Sequence, residues 1–172
     1  MDELERLSVE KFKAAPKTPI VVVLDNIRSL HNVGAVFRTA DAFSIEQIAL
    51  CGITATPPHK ELRKTALGAT ESVLWSYFVS TLEALEKLRR EGYSLIAAEQ
   101  TENATLLHSY VPDASKKVAL IFGHEVNGVD QAVLDQCDAV VEIKQSGTKH
   151  SLNVSVSAGI VLWHFYQALA SR

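Results

Sequence analysis

A chain of 172 residues, 47% hydrophobic and 22% charged, is one globular domain with enough apolar material to bury a core without disulfide or metal staples. Its net charge of −3 provides no global field toward a polyanion, so an RNA partner would have to be met by a local basic patch. No apolar run approaches the roughly 18 residues of a membrane span, the opening Met1-Asp2-Glu3-Leu4-Glu5-Arg6 is too acidic for a secretory signal, and two cysteines with six histidines show no metal-ligand spacing.

Leu4, Leu7 and Phe12 at helical spacing predict a helix over 2–13, ended by Pro16 and Pro19. Residues 1–18 are thus a helical extension to a single core over 19–172. The unbroken apolar run 19–25 reads as a strand buried on both faces, 33–43 as a helix and 47–51 as a second buried strand. Pro57 and Pro58 mark a loop before a short helix over 59–67, and 73–79 is ambiguous, a short strand being one reading. Over 81–90 the pattern is an amphipathic helix, with Thr81 as N-cap, Leu82, Leu85 and Leu88 as its stripe and Gly92 past its end. Strands follow at 93–98, 118–122 and 139–143. A helix over 130–137 separates the last two, and a long apolar helix over 153–170 closes the chain. Strands alternating with helices imply an α/β three-layer sandwich with a mostly parallel sheet. Cys51 and Cys137, far apart among apolar neighbours, read as reduced, buried thiols of a cytoplasmic protein, with a disulfide between them left open.

Ligands of such sheets bind beyond the carboxyl ends of the strands. The unusual polar residues fall there: Asp25-Asn26, Glu99, the segment from Gly123, and the loop after Ile143. Gly123, Gly128 and Gly147 permit close backbone approach. The turn after the first strand has no Gly-x-Gly-x-x-Gly and the chain has no Walker loop, so a nucleoside-like ligand would be held by the last third of the chain.

Three clusters stand out: Asn26 to Asn32 with Gly34, Arg38, Thr39 and Ala40; Ile121-Phe122-Gly123-His124-Glu125 with Gly128; and Ile143, Gly147 and Ser151 to Ser155. In this order and spacing they resemble the three motifs of the SpoU or TrmH-like branch of the SPOUT methyltransferases, and Lys64-Thr65-Ala66-Leu67-Gly68-Ala69 resembles a further segment of that branch. The resemblance covers about 19–167. It implies the SPOUT fold with a deep C-terminal trefoil knot, S-adenosylmethionine as cofactor, a homodimer, and methyl transfer to a ribose 2′-hydroxyl of tRNA or rRNA. It implies that Gly123, Ile143 and Leu152, with Glu99 and Gly128, border the cofactor, and that Arg38, Asn32, Glu125, Ser151 and Asn153 carry the chemistry. Asn32 would orient Arg38 or the target nucleotide, and Glu125 would hold Arg38 or a polar group of the cofactor. An arginine is always protonated, which favours phosphate holding and oxyanion stabilisation for Arg38 over a base role, although the base role stays open.

Arg28, Arg63, Lys64, Lys144 and Lys149 are the candidate RNA contacts; a solvated charged rim explains them equally well. Each motif residue also has an ordinary reading alone, as turn, cap or solvated helix residue, and the weight falls on the ordered set. His31, His59, His124, His150 and His164 receive no chemical role, and no metal is expected. The chain departs from the family pattern at Lys144-Gln145, where a proline and an apolar residue are usual, and at Val126-Asn127. Two alternatives remain: a catalytically inactive knotted RNA-binding or assembly dimer, and a SPOUT base methyltransferase.

Overall fold

A computed structural model of the chain describes residues 7–149 and 151–170. Its seven strands are β1 (Thr18–Asp25), β2 (Ile45–Cys51), β3 (Trp75–Phe78), β4 (Tyr93–Ala98), β5 (Thr105–Leu106), β6 (Lys117–Phe122) and β7 (Ala139–Glu142). They form one sheet in the order β3-β2-β1-β6-β4-β7-β5, and every neighbouring pair is parallel. The β-branched run of β1 explains its central place. Ile20, Val22 and Leu24 enter one apolar cluster, Val21 and Val23 the other, so both faces are dry.

Helices α2 (Leu30–Ala42), α3 (Lys60–Ala66) and α7 (Val154–Leu169) cover the first face, joined by the short α1 (Val9–Ala14) and α4 (Ala69–Ser72). Helices α5 (Thr81–Arg90) and α6 (Gln131–Leu134) cover the second. The three-layer expectation therefore holds. Gly34 is required where α2 meets α3, because a Cβ there would lie 2.0 Å from Thr65 Oγ1.

Several boundaries differ from the sequence expectation for local reasons. Helix α2 starts at Leu30, ahead of Val33, because the Ser29 hydroxyl accepts from Asn32 N and caps it, which puts Asn32 in the first turn. The N-cap of α5 is Ser80, not Thr81, and its hydroxyl accepts from Glu83 N. Thr81 is buried instead, donating to Asp25 Oδ1, and Leu82 is exposed while Ala84, Leu85 and Leu88 face the core. The helix expected over 130–137 is a single turn. The segment 73–79 resolves into β3. Strand β5, α4 and a 3₁₀ turn at Leu107–Ser109 escaped the reading because two to four residues carry no period. Of the helix expected over 2–13, Leu4 lies outside the described residues, as does His150. Cys51 is buried, Cys137 is only partly buried, and both are free.

Two features position the site. The carboxyl ends of β1, β6, β4 and β7 are level, with Leu24 opposite Phe122, Phe122 opposite Ala98, and Ala98 opposite Val141. The loop after β1 is held from below. Asn26, at φ +56°, donates to Asp25 and accepts from Ile53 N, while Thr54 Oγ1 accepts from Ile27 N and donates to Leu24 O.

Candidate active site

Beyond that level edge lies a pocket of about 410 Å³, within the range of small-molecule sites. Its floor is a tight turn. A Cβ at Gly123 would stand 2.3 Å from Gly128 C and Val129 N, so only glycine allows the chain to double back there. The backbones of His124 and Gly128 bond to each other in both directions, at 3.0 and 2.9 Å. Inside the turn, His124 Nδ1 accepts from Val126 N and Asn127 N, at 3.0 and 3.2 Å. Glu99, at the end of β4, accepts from Val129 N at 2.9 Å and from Gln100 N at 2.7 Å, tying the turn to the neighbouring strand.

The wall toward α2 is a hydrogen-bonded chain that joins residues about a hundred positions apart. Glu125 Oε2 accepts from Arg28 N at 3.0 Å, and Oε1 accepts from Ser29 N at 2.9 Å and Asn32 Nδ2 at 3.1 Å. Asn32 Oδ1 accepts from Asn153 Nδ2 at 3.0 Å, and Asn153 Oδ1 caps α7 through Ser155 N at 2.9 Å. Partial burial works to raise the Glu125 pKa, but the backbone donors of Arg28 and Ser29, with its own N–H and the Asn32 amide, together hold it below the usual carboxylate value.

A family model for the SpoU rRNA methylases matches residues 19–163. The chain belongs to that family. Among curated SpoU-type relatives, it is 32% identical over 161 residues to a 23S rRNA (guanosine-2′-O-)-methyltransferase RlmB from Neisseria meningitidis, covering 94% of this chain and 60% of that protein. It is 28% identical over 159 residues to the RlmB of Pseudomonas aeruginosa, covering 92% and 63%. The chain thus spans about three-fifths of the length of these relatives. An AdoMet-bound rRNA methyltransferase structure from Sinorhizobium meliloti superposes with a TM-score of 0.82 at 25% identity, over 92% of this chain and 60% of that one. The A. aeolicus TrmH/SpoU tRNA modifying enzyme shares the fold, with a TM-score of 0.81 at 21% identity over 93% and 81%.

With the SpoU motifs as reference, the structure brings together most of the residues selected from the sequence. Gly123, Gly128, Glu99, Ile143 and Leu152 all line the pocket, and so do Glu125, Ser151 and Asn153. Asn32 joins them through its two hydrogen bonds. Arg38 does not. It is exposed on α2, about 9 Å further along the axis than Asn32, is absent from the pocket lining, and its side chain makes no hydrogen bond or ion pair among the described residues. Within one chain Glu125 and Asn32 do not touch Arg38: the Glu125 oxygens accept from Arg28 N, Ser29 N and Asn32 Nδ2, and the Asn32 amide is shared between Glu125 and Asn153. Gly147 does not have the close-approach role of the other two glycines, since a Cβ there would meet nothing within 4 Å.

The basic candidates divide. Arg28, Lys144 and Lys149 are exposed on the loops that frame the pocket. Arg63 and Lys64 sit on α3, paired with Glu71 at 3.5 Å and Glu61 at 2.9 Å. The lining also includes Gln100, Gln145 and Ser157, polar residues not selected for the site from the sequence. Ser157 has a findable signal, one helical turn beyond Asn153 on the same face. The acceptor role of His124 has none, because a ring nitrogen closing its own turn leaves no spacing pattern.

Proposed function

We propose that this chain methylates a ribose 2′-hydroxyl of RNA, using S-adenosylmethionine bound in the pocket beyond β4, β6 and β7. The supporting observation is the Glu125–Asn32–Asn153 chain, which draws all three motifs onto one cavity of cofactor size. The donor set fits an adenosyl ligand: the floor is glycine backbone at Gly123 and Gly128, and Ile143 and Leu152 supply apolar surface for a flat ring. The cofactor would supply an activated methyl group on a sulfonium sulfur.

The protein's part is positioning and charge. Glu125 fixes the start of α2, Asn153 fixes the start of α7, and their shared partner Asn32 sets the spacing between the two helices. Arg38 holds the phosphate beside the target ribose and steadies negative charge on the attacking oxygen; the guanidinium stays protonated and the proton of the hydroxyl passes to water.

We assign this Arg38 to the pocket of a second copy in a homodimer. Its exposure outside its own pocket supports that reading, as does the apolar row Val156, Ile160 and Trp163 left exposed along α7, which packs beside α2. The deep knot belongs to the same reading. It is supported by β7, which lies between β4 and β5, two strands joined directly by 99–104. Two free thiols are consistent with a cytoplasmic location.

Incubation with radiolabelled S-adenosylmethionine and total bacterial RNA, followed by digestion to nucleosides, tests the proposal. Label on a ribose oxygen is the expected result. Label on a base would establish the base-methylating alternative. Failure of the protein to bind the cofactor at millimolar concentration would favour the catalytically inactive RNA-binding or assembly alternative.

A further inference from the structure

A second concavity, of about 270 Å³, lies at the β3 edge of the sheet, lined by Pro57, Pro58, Arg63, Thr70, Glu71 and Trp75. It is separate from the active site, and nothing in the mechanism above uses it. Its composition is unusual for a surface hollow. Trp75 opens β3, packs one side against the core and remains partly exposed. The two proline rings add rigid apolar surface. At the rim, the Arg63 guanidinium and the Glu71 carboxylate stand 3.5 Å apart with 65% and 62% of their side chains exposed. So exposed an ion pair contributes little to stability, which leaves it available as a paired donor and acceptor.

A flat hollow with a guanidinium beside a carboxylate selects among planar ligands. The guanidinium donates to guanine O6 and N7, and the adjacent carboxylate accepts from guanine N1–H and the exocyclic N2 amine. Adenine keeps the N7 acceptor but presents its N6 amine where guanine has O6, and its unprotonated N1 to the carboxylate, so those two contacts turn repulsive. The indole and proline faces supply stacking for an unstacked base. At about 270 Å³ the hollow accommodates a single base, not a larger cofactor.

Its place is also right for RNA. Strand β3 is three positions from β6 in the sheet, or roughly 14 Å at the usual strand spacing. The ground between them is α2 and α3, packed closely enough that Gly34 meets Thr65. Exposed Lys60 and Lys64 lie along that path. We infer that the hollow is a guanine subsite for the RNA substrate, taking an unpaired guanine base that flanks the methylated nucleotide. This rests on the RNA reading proposed above.

The test uses binding alone, so it stays independent of methyl transfer. The chain has two tryptophans; labelled as 5-fluorotryptophan, they give two fluorine resonances, and Trp75→Phe assigns that of Trp75. Guanosine 5′-monophosphate is expected to shift the Trp75 resonance saturably and leave that of Trp163 in place. Its affinity should be at least about fivefold above those of the adenosine, cytidine and uridine monophosphates, the low end of base discrimination by a paired contact. Glu71→Gln should bring the four affinities to within about twofold while S-adenosylmethionine binding stays unchanged, which also shows that the variant is folded. An unmoved Trp75 resonance, equal affinities for all four nucleotides, or a guanine preference that survives Glu71→Gln would each overturn the subsite. Guanine binding intact in a protein that labels no RNA would instead count against the methyltransferase reading.

Discussion

A methyl group added at Gly123 has nowhere to go, since the nearest atoms are backbone and cannot swing aside. One added at Gly147 enters open space. Gly123→Ala is therefore expected to abolish S-adenosylmethionine binding measured by calorimetry, and Gly147→Ala to leave it within about twofold, an ordinary surface effect. Glu125 makes a second residue-level prediction. Its folded pKa is lowered, so the stability it adds is fully present above the ordinary glutamate range and is lost as pH falls through the lowered value. The difference in unfolding free energy between the protein and Glu125→Gln should be constant from neutral pH down to about 5 and shrink progressively below about 4.3; a gap undiminished at pH 3 would contradict this. Such single residues were only half legible in the sequence. The motif order selected Glu125, Asn32 and Asn153, which the fold brings together at one pocket. Their partners were not legible, because a hydrogen bond across 93 or 121 residues leaves no periodic trace.

Helix α5 begins with two hydroxyl residues whose roles the sequence could not separate. Ser80 faces the helix end and accepts from Glu83 N, whereas Thr81 turns inward to Asp25, a carboxylate that is only 3% exposed. Ser80→Ala should cost about 1 kcal/mol in urea unfolding, as a lost cap does. Thr81→Val, which keeps the shape but removes a donor from a buried carboxylate, should cost about 1–3 kcal/mol and in addition loosen the loop that Asp25 and Asn26 hold. A larger loss for the alanine variant would reverse the assignment. Elements with a long apolar run were readable within a few residues: β1, β2, β4, β6 and α7 are where composition put them. The two-residue β5 and the four-residue α4 were not, because tertiary pairing and not local pattern makes them. The 105–106 pairing with β7 is the clearest case.

At the scale of the molecule, the proposed dimer makes separable predictions. Ile160→Lys places a charge in the exposed row of α7 and should yield a monomer by light scattering, with the helical signal kept and methyl transfer lost. Mixing Arg38→Ala with Asn153→Ala protein distinguishes the two placements of the arginine. If Arg38 serves the other copy's pocket, each mixed dimer has one pocket with both groups intact, and activity reappears; if it serves its own, the mixture stays as inactive as its parts. Fold class and the carboxyl-edge location of the site followed from strand alternation alone, whereas the order of the strands did not, since each apolar run is equally at home in any central position.

That order has a consequence for how the protein is made. Strand β6 is the sole bridge between the half of the sheet built on β1 and the half built on β4, yet it begins only at residue 117. Until it leaves the ribosome, the nascent polypeptide carries two incomplete halves. Each shows an unsatisfied edge of valine, leucine and isoleucine that is fully covered in the finished molecule. Until residue 117 emerges these edges should attract holdase chaperones, and a translational pause placed before the codon for residue 117 should lower soluble yield far more than one placed after that for residue 142.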